Sequence, residues 1–445
     1  MRDLAVIGIF AIGIVYSLRN PFYGILTYYW VSIMAPHRYS WGFAYHQPLA
    51  LIAALVTLVS ALLHFKDLKL AKTRETFLFV IFWIFLTVTS MFALSSQSAW
   101  NEWNNVSKIF LMVFLTIIVI KTKKQLQYFL LAIIGFVGFL SIKGALFGIL
   151  TAGRYRIWGP PESNLADNNF VGVAMVMIIP LCFFLKNSFE KKWQTYGVLI
   201  IGFASLISAV LTYSRGALVG LVALGIAYLL QTRHKIVIFI MFIIIVGIGY
   251  NVLPSIWFER MDTIETYQED ASANQRIDSW WFCYNLARTR LLGGGFDCFT
   301  PELYYLYAPN PEINIKQKED GTLEAHTAHS IYFQVLAEHG FIGLSIYMIC
   351  ILSIIFSMRK LDKISKKLPN AGWISDYSRA FIVSIIGFMA CAAFVSRAYF
   401  ELFWVIYAAA ISFKSIVFSG KWTGRDESMT IHREQGIEHN VIYTS

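Results

Sequence analysis

The chain has 445 residues, of which 57% are hydrophobic and 14% charged, with 37 Lys+Arg against 27 Asp+Glu for a net charge of +10. A soluble globular protein carries about a quarter charged residues, so this composition excludes a soluble protein of such length and places the chain in a membrane. The positive excess does not point to nucleic acid, because Lys and Arg fall in short clusters between apolar runs, as they do at the cytoplasmic ends of membrane helices.

Apolar runs of roughly 17 to 25 residues can cross about 30 Å of hydrocarbon as helices. Such runs fall near 3–19, 21–36, 47–65, 76–95, 105–120, 126–150, 167–186, 194–213, 216–231, 235–252, 341–357, 379–396 and 399–417. Clusters at Lys66/Lys69/Lys72/Arg74, Lys121/Lys123/Lys124, Lys186/Lys191/Lys192, Arg233/Lys235 and Arg359/Lys360/Lys363/Lys366/Lys367 mark every second loop as cytoplasmic. The first two runs are expected to cross once, as a helix broken around Arg19-Asn20-Pro21, with both chain ends in the cytoplasm. No small-residue cleavage site follows the first run, so no cleaved leader is expected.

The expected fold is therefore all-α, a polytopic membrane helix bundle of about 12 transmembrane helices with one large periplasmic loop containing short helices. Residues 1–252 would be N-terminal membrane helices, 253–340 the large loop, 341–420 C-terminal membrane helices and 421–445 a polar cytoplasmic tail. Inside the loop, 278–292 reads as a helix ended by Gly293-Gly294-Gly295, and 309–321 as a hairpin-like stretch. Of five cysteines only Cys283 and Cys298 share a polar segment, where they could pair. No internal repeat, P-loop, GxSxG elbow or Cys-x-x-Cys occurs.

Charges on the outer side are the candidates for chemistry. Arg215, in Thr212-Tyr213-Ser214-Arg215-Gly216, sits at an outer junction where a positive-inside bias should exclude arginine. An ionisable group at membrane depth is a functional hypothesis by default, against the bland reading of an arginine snorkelling to head groups. Arg276, Arg288 and Arg290 flank the Trp280-Trp281 helix, and several guanidinium groups converging there would suit a diphosphate. For Arg288 and Arg290 a solvated helix face with Trp280 and Trp281 as aromatic belt is an equal reading. His329 precedes the helix that re-enters the membrane and could take a proton near neutral pH; His339, beside Glu338, is the second candidate. His326 and His329 with Glu324 nearby could suggest a metal, but nothing completes a ligand set, so neither metal nor cofactor is expected. Tyr213, Arg154, Arg156 and Asn169 are further substrate-binding candidates, with capping the better reading for Asn168 and Asn169.

These residues fall in an order that resembles the bacterial O-antigen ligase and polymerase group: Ser214-Arg215-Gly216; then Arg276, Trp280 and Gly293-Gly294-Gly295-Phe296; then His329-Ser330, Leu336, Glu338, Gly340 and Gly343. The likeness covers most of 47–420 in layout and rests on 212–345. It implies a glycosyltransferase of the bacterial inner membrane, with its active site facing the periplasm. The enzyme would move a glycan from undecaprenyl diphosphate to a sugar hydroxyl of lipid A–core, without metal or nucleotide sugar. Arg215 and Arg276 would bind the diphosphate, with Arg288 as a backup, and His329 would be the general base, a contribution of about 10²–10⁴-fold. The implied partners are the lipid-linked glycan, lipid A–core and membrane lipids. A polymerase and a protein O-oligosaccharyltransferase share these features. A polysaccharide or lipid transporter without catalysis is the alternative of another class, disfavoured because neither matching halves nor midspan charges occur.

Overall fold

The computed structural model describes residues 1–189, 191–231, 254–255, 257–258 and 271–420. Its helices are α1 (Arg2–Arg19), α2 (Pro21–Tyr29), α3 (Leu49–Leu63), α4 (Arg74–Met91), α5 (Ser96–Val119), α6 (Lys123–Leu150), α7 (Asn168–Leu185), α8 (Lys192–Leu211), α9 (Arg215–Gln231), α10 (Ala271–Thr289), α11 (Pro301–Tyr307), α12 (Ile331–Ser365), α13 (Gly372–Ala392) and α14 (Glu401–Phe418). Eight of them, α4 to α8 and α12 to α14, are long and apolar enough to cross a membrane, and α3 and α9 are shorter apolar helices. The chain is a multi-pass, all-α bundle, as its apolar runs require, since only helices satisfy every backbone group within one segment in lipid. The run at 235–252 and the tail beyond 420 lie outside the described residues.

The basic loops close the helices at one end, hereafter the basic end. There Thr73 caps α4 and a Thr122/Gln125 capping box opens α6. The fully buried Glu75 carboxylate takes Lys414 Nζ at 2.7 Å and the Ser357 hydroxyl at 2.6 Å, so α4, α12 and α14 are pinned by one buried ion pair. A helix that is apolar all round belongs in the middle of a bundle. That holds for α7 and α14, whose Trp404 and Tyr407 are fully buried against Phe79, Phe82 and Phe110.

The first two runs depart from the expected single crossing. Asn20 accepts the Phe22 N–H at 2.9 Å and Pro21 occupies the first helical position, so the chain turns sharply instead of continuing. α1 and α2 then pack on each other, with the Tyr16 and Tyr23 rings 5.6 Å apart. The Asp3 carboxylate accepts the Ala44 N–H at 3.0 Å, and Arg38 pairs with Glu162 at 2.6 Å in the 151–166 loop. The N-terminus therefore sits at the loop end, opposite the basic end where α14 finishes. The expectation of both ends on one side is corrected: two runs go out and back.

At the loop end, α10 lies along the first turns of α12. Phe282, Leu286, Cys283, Cys298 and Tyr304 make their own apolar cluster, in which both cysteines are unbridged thiols. The Asp278 carboxylate accepts from Asn310 N–H and Asn314 Nδ2, fixing the segment that leads to a small hairpin, Ile315–Gln317 paired antiparallel with Leu323–Ala325. The helix begins earlier than the expected 278, and the hairpin lies later than 309–321.

Candidate functional site

Four connections meet at the loop end. Asp167 caps α7, its Oδ1 accepting the Asn169 N–H at 2.8 Å and Asn169 Nδ2 at 2.9 Å. Asn169 Oδ1 in turn accepts from the Ser214 hydroxyl at 2.7 Å, and Ser214 Oγ receives the Ala217 N–H at 3.2 Å as the cap of α9. Asn169 is thus a bridge between two helix starts, not a cap; Asn168 holds the same junction through Nδ2 to the Thr212 carbonyl at 2.8 Å. Arg215 occupies the first position of α9. A cation there opposes the helix dipole, whereas an anion at that place would meet both the dipole and the guanidinium. Gly216 next to it lies against the Cys391 carbonyl of α13, where a Cβ would come within 2.9 Å.

Tyr213 has a left-handed backbone (φ 58°), and its buried hydroxyl donates to the Gly153 carbonyl at 2.5 Å. That bond ties the 212–214 turn to the 151–166 loop. Burial raises the phenol above its usual range, and the nearby Arg156 charge partly offsets the rise. Arg154 and Arg156 themselves are exposed.

His329 also has a left-handed backbone (φ 48°), uncommon for a residue with a Cβ and costly enough to mark a position the surroundings over-determine. The surroundings are visible: Trp280 Nε1 donates to the Ala328 carbonyl at 2.9 Å, and its ring stacks on Phe333 at 4.9 Å with a 6° tilt. Trp280 is therefore a prop for the His329 corner, where an aromatic belt at the interface was the other reading; Trp281 is exposed. Burial, then the Arg276 charge and then His326, push His329 from its ordinary value down to about 4, with Asp167 acting the other way. Arg276, His326, Asp167 and His329 thus share one electrostatic neighbourhood. The His326 and His329 rings are 6.3 Å apart. His326 is held below its ordinary value by burial and then by Lys316.

The other candidates are not brought there. His339 is fully buried, with Nδ1 2.7 Å from Thr89 Oγ1 and Nε2 2.7 Å from Tyr399 Oη, and Phe296 edge-on at 4.6 Å. The ring is fully buried with both nitrogens hydrogen-bonded, which counts against the expected second base and favours a packing role for His339. Glu338 accepts from Tyr399 Oη at 2.6 Å and from Gln334 at 3.2 Å. Arg290 donates through Nε to the Gly293 carbonyl and through Nη2 to Phe92 O, which clamps its guanidinium on two backbone carbonyls. Arg288 is exposed on the last turn of α10.

Gly293-Gly294-Gly295 does more than stop a helix. Gly294 and Gly295 donate N–H bonds to Ala337 O and Glu338 O, both at 2.8 Å, beside the break in α12 at Gly340 (φ 65°, ψ −171°). A Cβ on Gly293 would lie 2.6 Å from the Ala337 carbonyl oxygen. Backbone meets backbone there, which only glycine permits.

An apolar groove of about 490 Å³ is lined by Val219 of α9, Tyr332 and Arg359 of α12, and Ile386, Met389 and Phe394 among others. Val219 follows Arg215 by one turn of α9, and Tyr332 follows His329 by three residues.

One side chain escaped the sequence reading. Arg397, between α13 and α14, bears the same signal that singled out Arg215, a lone arginine at the loop end, and its guanidinium lies 3.9 Å over the Phe170 ring.

Compared with known families, residues 1–190 match a family of unknown function (DUF5935), and residues 200–348 match the O-antigen ligase family. No curated protein matches the chain. Arg215, Arg276 and His329 all fall inside the second stretch, the part of this multi-pass helical bundle that is similar to the O-antigen ligase family.

Proposed function

We propose that the protein is an O-antigen ligase of the bacterial inner membrane, acting on the periplasmic face. The donor is a glycan on undecaprenyl diphosphate and the acceptor a sugar hydroxyl of lipid A–core. Support comes chiefly from one observation: His329 and Arg276 lie within reach of each other's charge, in the neighbourhood of Asp167, which Asn169 and Ser214 link to the start of Arg215's helix. A general base beside cations is what transfer from a diphosphate needs.

In this reading Arg215 and Arg276 hold the diphosphate oxygens, and the groove that Tyr332 lines takes the isoprenoid. The acceptor oxygen attacks the anomeric carbon while the carbon–oxygen bond to the diphosphate breaks and its electron pair leaves on phosphate. The guanidinium groups stabilise that charge, and His329 takes the hydroxyl proton. Burial first, and then the Arg276 charge, make His329 a weak base. A bound diphosphate offsets that cation and raises the imidazole's affinity for a proton when it is needed.

Purified protein incubated with the undecaprenyl-diphosphate glycan should glycosylate lipid A–core. Elongation of a second carrier-linked glycan in its place would assign a polymerase, and glycosylation of protein alone an O-oligosaccharyltransferase. Donor left intact with every acceptor would end the enzymatic reading.

A further inference from the structure

We propose that Arg397 is a third diphosphate-binding cation, closing the site from the α13–α14 connection; this rests on the reading of the site as one for a lipid diphosphate. Arg397 lies beyond both family-matched stretches. Its Nε is buried and has no hydrogen-bond partner among the described residues, and the Phe170 ring, 3.9 Å from the guanidinium carbon, covers one face. Burial depresses this arginine, opposed by the charges of Glu102 and Asp167, which compensate it from a distance. Cation–π contact recovers part of the lost hydration, but a largely buried guanidinium with an open donor is costly unless an anion completes it.

The segment is too firmly held for the side chain to be incidental. Ala398 N–H donates to Gln334 Oε1 at 3.0 Å, Ala398 O accepts from Trp404 Nε1 at 3.2 Å, and Tyr399 Oη donates to Glu338 at 2.6 Å. Those bonds fix the backbone on the C-terminal side of Arg397 to α12 and α14. Asp167 supplies the link to the rest of the site, since its charge acts on both His329 and Arg397. A planar fork at this place matches the oxygens of a phosphate group bidentately, which lysine cannot do.

The test uses full-length protein in phosphatidylcholine nanodiscs, titrated with undecaprenyl diphosphate and, separately, with undecaprenyl phosphate or phosphatidylglycerol. Arg397→Gln should weaken diphosphate binding by about 10- to 100-fold, the worth of hydrogen bonds to a charged group, with Arg397→Lys in between and the thermal midpoint of the empty protein unchanged. Diphosphate affinity within about twofold of wild type in Arg397→Gln overturns the assignment. So does a loss confined to phosphatidylglycerol, which would make Arg397 a phospholipid head-group contact. A lowered midpoint with intact affinity makes it a purely structural cation. If wild-type protein binds no diphosphate, the functional reading itself falls; if wild type binds and the variant binds equally, only Arg397 is withdrawn.

Discussion

At His329 the competing terms can be ranked. Burial and the neighbouring Arg276 and His326 charges all favour the neutral ring, and only Asp167 favours the charged one, so the group sits near 4. The acid limb of kcat/KM, which reports the free enzyme, should therefore lie close to pH 4 and well below 6.5. Arg276→Gln should move that limb upward while lowering the rate, because a cation that repelled the proton is gone. A limb at 6.5 or above in wild type would show that a different group takes the proton. His329→Ala should abolish transfer with the protein still folded. His339→Ala should instead lower the thermal midpoint, by about 1–3 kcal/mol in stability, since Thr89 and Tyr399 each lose one of two hydrogen-bond partners and Phe296 loses the ring it packs on. A His339→Ala variant as stable as wild type would contradict the packing role. Arg215 stood out in the sequence because a charge at an outer junction breaks the membrane pattern, and His329 because it precedes the helix that re-enters the membrane. The packing role of His339 was not legible there, because Thr89 and Tyr399 lie far from it in sequence and only the fold brings them together.

For the elements, the apolar runs fixed where helices form but not how they meet. The run read as starting at 341 begins as a helix at Ile331, since 331–339 has α10 to pack against, and the break falls at Gly340. Such a junction depends on tertiary pairing between 293–295 and 337–340, which periodicity does not encode. Gly340 has dihedrals reserved in practice for glycine, worth of order 1–3 kcal/mol to any other residue, and a Cβ there would collide with the Leu291 carbonyl oxygen. Gly340→Ala should lower the thermal midpoint and cut transfer, because the break sets how the His329 corner stands on the bundle. By contrast Gly372→Ala, with open space around its Cβ position and an ordinary helical backbone, should leave both unchanged. Equal behaviour of the two variants would remove the argument from the junction.

Across the whole molecule, charge separates by end: lysines and arginines with a buried Glu75–Lys414 pair at one, the arginine and histidine site at the other. The lysine clusters made that polarity readable from residue 47 onward. Before that point Arg2, Arg19 and Arg38 give conflicting signals, and the choice between one broken crossing and a helical hairpin turned on how Asn20-Pro21 bends the chain. The Asp3–Ala44 and Arg38–Glu162 contacts decide for the hairpin. The five cysteines are all buried, so single introduced cysteines can be read by a membrane-impermeant maleimide in sealed vesicles of one orientation. Arg2→Cys should label from the same side as Lys318→Cys, which lies beside the small hairpin, and be protected whenever Lys366→Cys at the basic end is labelled. Labelling of Arg2→Cys together with Lys366→Cys would return the N-terminus to the basic end, and the pairing of 38–44 with the 151–166 loop would have to be abandoned with it.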